Sequence, residues 1–312
     1  MNPAEWLFRT ARLRPNAPAL MRGETVLADY AEFARRVASI AGALIARGVK
    51  RGDRVAIFMT NRTEYLKTFY AAWFVGAAVV PINAKLHAKE AAWIIEDAGA
   101  EILFVSEDVG APLRGVVPPC VREMITADGP EFVRLYTADP LPAPMQLLAD
   151  DMLWLFYNSG TTGKPKGVMI SAGNIQAATS SYFIDVDEVR AEDAILYAAP
   201  MSHGAGLYNF MHVLRGARHV VPEFGGFDPG EILSLAPRLG NVSLFAAPTM
   251  VRRLIDRARA EGGSGEGIKT IVYGGGPMYL ADIIEAVEVM GPRFVQIYGQ
   301  GESPMTITAL VD

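Results

Sequence analysis

The chain has 312 residues, of which 51% are hydrophobic, and its formal net charge is −5 at pH 7. This hydrophobic content is enough to bury a large core and excludes a disordered chain. The acidic balance lacks the overall basic field of a non-specific nucleic-acid binder. The single cysteine, Cys120, excludes an internal disulfide and suits a reducing compartment. We therefore expect a cytoplasmic globular protein that binds no nucleic acid.

One stretch without a charged residue, from Thr68 to Ala84, invites a membrane interpretation. It contains Gly76 and Pro81, and it is shorter than the roughly 20 residues that a membrane span needs. It also divides into a helical part and a strand-like part. We predict a buried helix followed by a buried strand, with no membrane span and no signal peptide at the start of the chain.

Short β-branched runs alternate with longer amphipathic segments, which predicts an α/β fold with largely parallel sheets covered by helices. Within residues 30–47, Phe33, Val37, Ile40 and Leu44 recur at the spacing of one helix face, and Gly48 is a typical helix end. The predicted strands are 54–59, 78–82, 102–105, 153–157, 194–198, 219–221, 242–245, 268–273 and 294–298. The predicted helices are 30–47, 64–75, 88–97, 175–183, 248–260 and 280–289.

Two segments interrupt this alternation. The segment 138–144 holds three prolines and predicts an extended connector. The segment 261–267 is too rich in glycine for a helix or a strand and predicts a surface loop. Because this loop follows a helix rather than a strand, it does not indicate a dinucleotide-binding turn.

The most informative segment, 153–168, is an apolar strand that leads into a loop of small hydroxylated residues, glycines and lysines. Glycines let backbone N–H groups turn toward an anion, while hydroxyls and ammonium groups add donors and positive charge, so the loop predicts a polyphosphate site. A polar hairpin between two strands is the structural alternative. A P-loop NTPase is excluded, because Asn158 stands where the Walker pattern needs glycine and Pro165 follows Lys164.

The segment Tyr157–Gly167 resembles the signature of the adenylate-forming superfamily, which includes acyl-CoA synthetases, peptide-synthetase adenylation domains and beetle luciferases. Its consensus is close to [YF]-T-S-G-T-T-G-x-P-K-G, and only Asn158 departs from it. Three later segments follow in the family's order, and the stretch 48–106 also resembles the family's N-terminal half. These segments are Pro200–Gly206, Tyr273–Met278 and Tyr298–Glu302.

The resemblance implies a role for each segment. The phosphate groups of ATP would be held by Ser159, Gly160, Thr161, Thr162, Gly163, Lys164 and Lys166. Adenine would be held by Gly275, Gly276, Pro277, Tyr298 and Gly299. The acyl group would lie beside His203, Tyr208, Gly274 and Ile297. Glu302 would hold Mg²⁺, and the implied catalytic residues are Lys166, Glu302 and His203.

Each of these interpretations has an alternative in the residues themselves. Three glycines after a strand also suit a tight strand-to-helix turn, and a lone His203 is commonly a loop histidine with a hydrogen-bond partner. His203, His212 and His219 do not have the spacing of zinc ligands. Gly301 stands where the family has threonine, which removes a hydroxyl expected near the α-phosphate.

The implied activity is ATP-dependent activation of a carboxylic acid to an acyl-adenylate, followed by thioester formation with CoA, with Mg²⁺ as the metal. An apolar acid, aromatic or aliphatic, is expected, in the setting of fatty-acid metabolism, and a homodimer is an open expectation. The alternatives are a nucleotide-binding module without turnover and an amino-acid adenylation domain. The latter is disfavoured because no aspartate lies near 201–210 to pair a substrate amine.

The resemblance also implies a domain organisation. It predicts two stacked α/β subdomains, 62–181 and 20–61 plus 190–312, as in the family's large N-terminal domain. The family's β-barrel subdomain and its C-terminal domain with a catalytic lysine are not among these residues. On this expectation the 312-residue chain alone makes no acyl-CoA.

Overall fold

The computed structural model describes residues 1–158 and 164–311. The strands are β1 (Pro18–Arg22), β2 (Thr25–Asp29), β3 (Arg54–Phe58), β4 (Ala78–Ile82), β5 (Ile102–Val105), β6 (Glu123–Thr126), β7 (Met152–Asn158), β8 (Lys166–Ser171), β9 (Ala194–Leu196), β10 (Arg218–Val221), β11 (Val242–Ala246), β12 (Ile268–Tyr273), β13 (Phe294–Tyr298) and β14 (Thr308–Val311).

The helices are α1 (Pro3–Leu13), α2 (Tyr30–Ala46), α3 (Thr63–Phe74), α4 (Ala88–Ala98), α5 (Glu107–Leu113), α6 (Pro130–Arg134), α7 (Ala172–Asp185), α8 (Gly204–Leu207), α9 (Asn209–Arg215), α10 (Pro229–Leu239), α11 (Pro248–Glu261) and α12 (Leu280–Met290). Short 3-10 helices cover Arg114–Val116 and Leu135–Thr137. None of the described helices is both long and apolar enough to cross a lipid bilayer.

The chain divides into two compact units. The first consists of residues 1–16 and 30–176, and the second of residues 17–29 and 177–312. This division differs from the expected one, because residues 30–61 lie in the first unit rather than the second. The physical reason is that β3 pairs with β4 and β5, and its whole sheet belongs to the first unit.

The first unit is built on a six-stranded sheet in the order β6-β5-β3-β4-β7-β8. All neighbours are parallel except β7 and β8, which form an antiparallel hairpin. Helix α2 follows its predicted pattern, since Phe33, Val37, Ile40 and Leu44 are all fully buried. The stretch 68–84 is α3 and β4, both of them buried, as the sequence predicts.

The second unit is built on an eight-stranded sheet in the order β14-β13-β12-β11-β9-β10-β1-β2. The six inner strands, β13, β12, β11, β9, β10 and β1, run parallel to one another, and the two edge strands, β2 and β14, are antiparallel to their neighbours. One hydrophobic core joins the strands to α10, α11 and α12 through residues such as Leu244, Leu254, Ile271 and Met290. The predicted α/β class with largely parallel sheets is confirmed.

Candidate active site

The carboxyl ends of the parallel strands in the second unit bring several of the predicted site segments to one edge. Strands β13, β12, β11 and β9 are consecutive neighbours, so the segments that follow them lie side by side. From β9 the chain moves to β10 on one side and then to β11 on the other side. This reversal is the topological switch point, where ligands of open α/β sheets bind. His203 follows β9, and Gly274 and Gly299 follow β12 and β13.

The glycine segment after β12 is a strand-to-helix turn, as the alternative interpretation proposed. Gly275 has a φ of +79°, a conformation that glycine adopts without strain, and Gly275, Gly276 and Pro277 are exposed. Gly274 is buried, and a Cβ there would lie 2.6 Å from the carbonyl oxygen of Ile297 on the neighbouring strand. The turn therefore offers exposed main chain beside β13, which is the form a flat base requires.

Tyr298 ends β13 and lies at the same edge. The residue is 51% exposed, and its hydroxyl accepts a 2.7 Å hydrogen bond from Nε2 of Gln300. A tight turn follows, because the N–H groups of Gln300 and Ser303 bond each other's carbonyl oxygens at 3.0 and 3.2 Å. The exposed tyrosine is thus held at its hydroxyl end.

Gly299 is required by a close approach of the main chain. A Cβ at this position would lie 2.5 Å from the amide nitrogen of Met305, which is buried and has a φ of +67°. Gly301 lies in the same turn, half-buried. The chain therefore folds back over Gly299, and this return fixes the turn that carries Glu302.

Glu302 is exposed and makes no ion pair or hydrogen bond with a residue that the structure describes. Within the described ranges, no three His, Cys, Asp or Glu side chains cluster as a preformed metal site. Mg²⁺ characteristically takes one or two carboxylates together with substrate phosphates and water. One uncommitted carboxylate at this edge of the sheet fits that pattern, whereas a site made only of protein ligands would not.

His203 and Tyr208 flank α8 at the switch point. The Nδ1 atom of His203 lies 2.8 Å from the hydroxyl of Ser202, so this histidine has the hydrogen-bond partner that the alternative interpretation expects. Tyr208 is buried, and its ring centroid lies 5.7 Å from that of Phe245 and 5.5 Å from that of Tyr182. The sequence did not single out Phe245 or Tyr182; an aromatic residue near the end of β11, beside the switch point, is the signal that could have found Phe245, whereas Tyr182 lies on α7 and carries no such signal.

Buried polar groups surround Tyr208. The Nδ1 atom of His212 lies 2.7 Å from the carbonyl oxygen of Tyr208. Burial lowers the pKa of His212 to about 4. Burial also raises the pKa of the Tyr208 hydroxyl, which has no hydrogen-bond partner among the described residues. At neutral pH His212 and Tyr208 are therefore uncharged, which suits contact with an apolar group.

The phosphate-loop segment lies in the first unit, between β7 and β8. These strands pair as a hairpin with Asn158 opposite Lys166 and Tyr157 opposite Gly167. The hairpin alternative is therefore correct in geometry, and strand β8 was not predicted. Lys164 and Lys166 are exposed at the described end of the loop. Five predicted phosphate-binding residues lie outside the described residues: Ser159, Gly160, Thr161, Thr162 and Gly163.

Two residues of α4 contact this hairpin, and neither of them was predicted from the sequence. The hydroxyl of Tyr157 donates a 2.6 Å hydrogen bond to Oδ2 of Asp97. The ammonium group of Lys164 lies 5.7 Å from the ring centroid of Trp93, within the range of a cation–π contact. No motif marks these residues; only their i, i+4 spacing on a predicted helix could have indicated a shared face.

The chain belongs to the AMP-binding enzyme family, whose sequence pattern matches residues 7–311. It is 31% identical over 307 residues to a feruloyl-CoA synthase from Amycolatopsis sp, covering 98% of this chain and 60% of that protein. The chain thus spans about 60% of the length of this curated relative.

Solved structures agree with this family and with the fold. The inhibitor-bound N-terminal domain of FACL13 from Mycobacterium tuberculosis superposes with a TM-score of 0.88 at 28% identity, covering 99% of this chain and 78% of that one. O-succinylbenzoate Coenzyme A synthetase (MenE) from Bacillus subtilis, in complex with AMP, gives a TM-score of 0.83 at 28% identity. That match covers 98% of this chain and 76% of the other.

Proposed function

We propose that this chain carries the nucleotide- and acid-binding part of a ligase that activates a carboxylic acid as an acyl-adenylate. In the whole enzyme the acyl group would then pass to the thiol of CoA. ATP, the acid and CoA are the substrates, and Mg²⁺ is the metal. The single observation that carries the proposal is the shared edge of the second unit, where the glycine turn, Tyr298, Glu302 and His203 follow neighbouring parallel strands.

The chemistry explains why such groups are needed. A carboxylate oxygen attacks the α-phosphorus of ATP, the bond to the bridging oxygen breaks, and pyrophosphate leaves with both electrons. Such transfers are catalysed mainly by positioning and by neutralising charge on the phosphate oxygens. In this proposal Lys164 and Lys166 neutralise the departing phosphates, and Tyr298 and the glycine turn fix adenine. Glu302 would hold Mg²⁺, which supplies further positive charge to the phosphates when bound.

The acid is proposed to lie near the switch point, beside His203, Tyr208, Gly274 and Ile297. Phe245 is half-buried and its ring contacts that of the buried Tyr208, and His212 is neutral, so an uncharged aromatic or aliphatic chain suits this environment. Two relatives' names support an aromatic or aliphatic acid, since one is a feruloyl-CoA synthase and another a long-chain-fatty-acid–CoA ligase from Mycobacterium tuberculosis.

Acid-dependent exchange of labelled pyrophosphate into ATP tests the activation step. The whole enzyme that carries this chain would be assayed with ferulate, a long-chain fatty acid and an amino acid, each with MgATP. Exchange that depends on one of the first two acids supports the proposal, and exchange only with the amino acid would indicate an amino-acid adenylation domain. Nucleotide binding with no exchange for any acid would favour a binding module instead.

A further inference from the structure

Helix α4 presents one face to both ends of the phosphate-loop hairpin. Trp93 and Asp97 are four positions apart and therefore lie one turn apart on the same side of the helix. Asp97 accepts a hydrogen bond from Tyr157, near the end of β7, where the chain enters the loop. Trp93 contacts Lys164, where the chain leaves it. One helix thus contacts the residues on either side of the loop.

The two residues differ in their relation to the core. Ile94, Ile95 and Ala98 of α4 are buried in the core of the first unit, and the half-buried Trp93 packs against that core, whereas Asp97 is exposed. Asp97 therefore has no part in the core packing of α4. The hydrogen bond between the exposed Asp97 and the half-buried Tyr157 is a directional contact, in which the tyrosine hydroxyl donates and the carboxylate accepts.

Helix α4 is capped at both ends, which gives Trp93 and Asp97 a fixed position. His87 and Glu90 form a capping box, in which Nδ1 of His87 accepts from the N–H of Lys89 and Glu90 accepts from the N–H of His87. Gly99 closes the other end in the left-handed conformation, with φ of +60°.

In the hairpin, a glycine opposite Tyr157 leaves space for the tyrosine ring to contact α4. Tyr157 lies opposite Gly167 in the register, and a Cβ on Gly167 would approach Cζ of Tyr157 to 3.1 Å and its hydroxyl to 3.3 Å. The absence of a side chain at Gly167 therefore leaves room for the Tyr157 ring. The ring of Trp93 meets that of Tyr157 edge-to-face, with centroids 6.3 Å apart.

We propose that Trp93 and Asp97 are positioning residues for the phosphate loop: Asp97 fixes Tyr157 before the loop, and Trp93 holds Lys164 after it. The inference rests on the proposed function, because it assigns these residues to ATP binding. Neither touches the reacting atoms in this account. Asp97 keeps Tyr157 in place, and Trp93 keeps the ammonium group of Lys164 in a defined place until that group pairs with a phosphate.

The contact between Lys164 and Trp93 can be tested without nucleotide. Trp6, Trp73 and Trp154 are buried, so the difference between the wild type and Trp93→Phe isolates the emission of the more exposed tryptophan. Lys164→Gln should change that emission, and the matched control Lys50→Gln, an exposed lysine elsewhere in the same unit, should not. Identical Trp93 emission in wild type and Lys164→Gln would overturn the part of the proposal that concerns Trp93.

The positioning role is tested by affinity for MgATP, measured by calorimetry on the same chain. Asp97→Ala should raise the Kd about tenfold, whereas Asp97→Asn, which keeps an acceptor oxygen for Tyr157, should retain most of the affinity. Tyr157→Phe should match Asp97→Ala, and the double variant should be no worse than either single one. The neighbouring Glu96→Gln is the matched control and should bind like the wild type.

The outcomes separate the two proposals. A wild-type chain that binds no MgATP would refute the proposed function. A wild-type chain that binds, with Asp97→Ala binding equally well, would overturn only the positioning role. Additive losses in the double variant would likewise show that Asp97 and Tyr157 act independently, as two packing residues would. Thermal unfolding of each variant identifies any loss of affinity that comes from misfolding.

Discussion

Replacement of Gly299 by alanine should weaken nucleotide binding while the protein still folds. The new Cβ would lie 2.5 Å from the Met305 nitrogen, whereas ordinary van der Waals contact begins at 3.4 Å, so the main chain must move by about 0.9 Å. Overpacking of this kind costs about 1–3 kcal/mol of unfolding free energy. The displaced turn carries Glu302 and adjoins Tyr298, whose stacking on a base would contribute about 1–3 kcal/mol.

The assay is calorimetric titration with MgATP, together with thermal unfolding. Gly299→Ala should raise the Kd about ten- to a hundredfold while the protein still unfolds cooperatively. Gly226→Ala is the matched control in the same unit, because a Cβ there meets nothing within 4 Å. If Gly299→Ala binds MgATP as tightly as Gly226→Ala, then the return of the chain over Gly299 has no part in the nucleotide site.

Three further predictions concern the phosphate groups, the altered motif and pH. Lys166→Ala should raise the Kd for MgATP about ten- to a hundredfold, the effect of losing one charge-assisted hydrogen bond; unchanged calorimetric affinity would make Lys166 a surface lysine only. Gly301→Thr should change this Kd by less than about tenfold, because Tyr298 and Glu302 of the motif are present beside it; a hundredfold gain would show that the natural turn is deficient. Burial holds the pKa of His212 at about 4, so the unfolded state takes up this proton first as the pH falls from about 6.5, and unfolding free energy is lost down to about pH 4. The loss reaches about 3 kcal/mol. In denaturant titrations His212→Asn should show a shallower decline over this range, and an equally steep decline would contradict the assignment.

The buried strands and helices were predictable from the sequence because their patterns were strong. Strands β4, β5, β12 and β13 begin and end at their predicted residues, since each is a short run rich in β-branched or aromatic residues. Edge strands β2 and β14 were missed, because Val26, Leu27, Leu310 and Val311 are exposed and carry no burial pattern. Helix α10 was missed as well, since Pro237 lies inside it and argues against a helix in sequence.

The motifs of the candidate site could be recognised in the sequence, but the tertiary contacts that place them could not. Tyr298 and the glycine turn stand at adjacent strand ends, and this proximity depends on strand order, which no local pattern encodes. Asp97 is 60 residues from Tyr157 in the chain, so their contact is a consequence of the tertiary fold. The assignment of residues 30–61 failed for the same reason, because the partners of β3 are β4 and β5 rather than strands of the second unit.

The most direct test of the central claim is calorimetric comparison of AMP with a non-hydrolysable acyl-adenylate analogue on this chain. The analogue would carry a feruloyl group or a long-chain acyl group. If the edge near His203 and Tyr208 binds the acid next to the nucleotide, the analogue should bind at least tenfold more tightly than AMP, about 1.4 kcal/mol of added contact. Equal affinity of both analogues and AMP would show that the chain recognises the nucleotide alone, and would contradict carboxylate activation as its function.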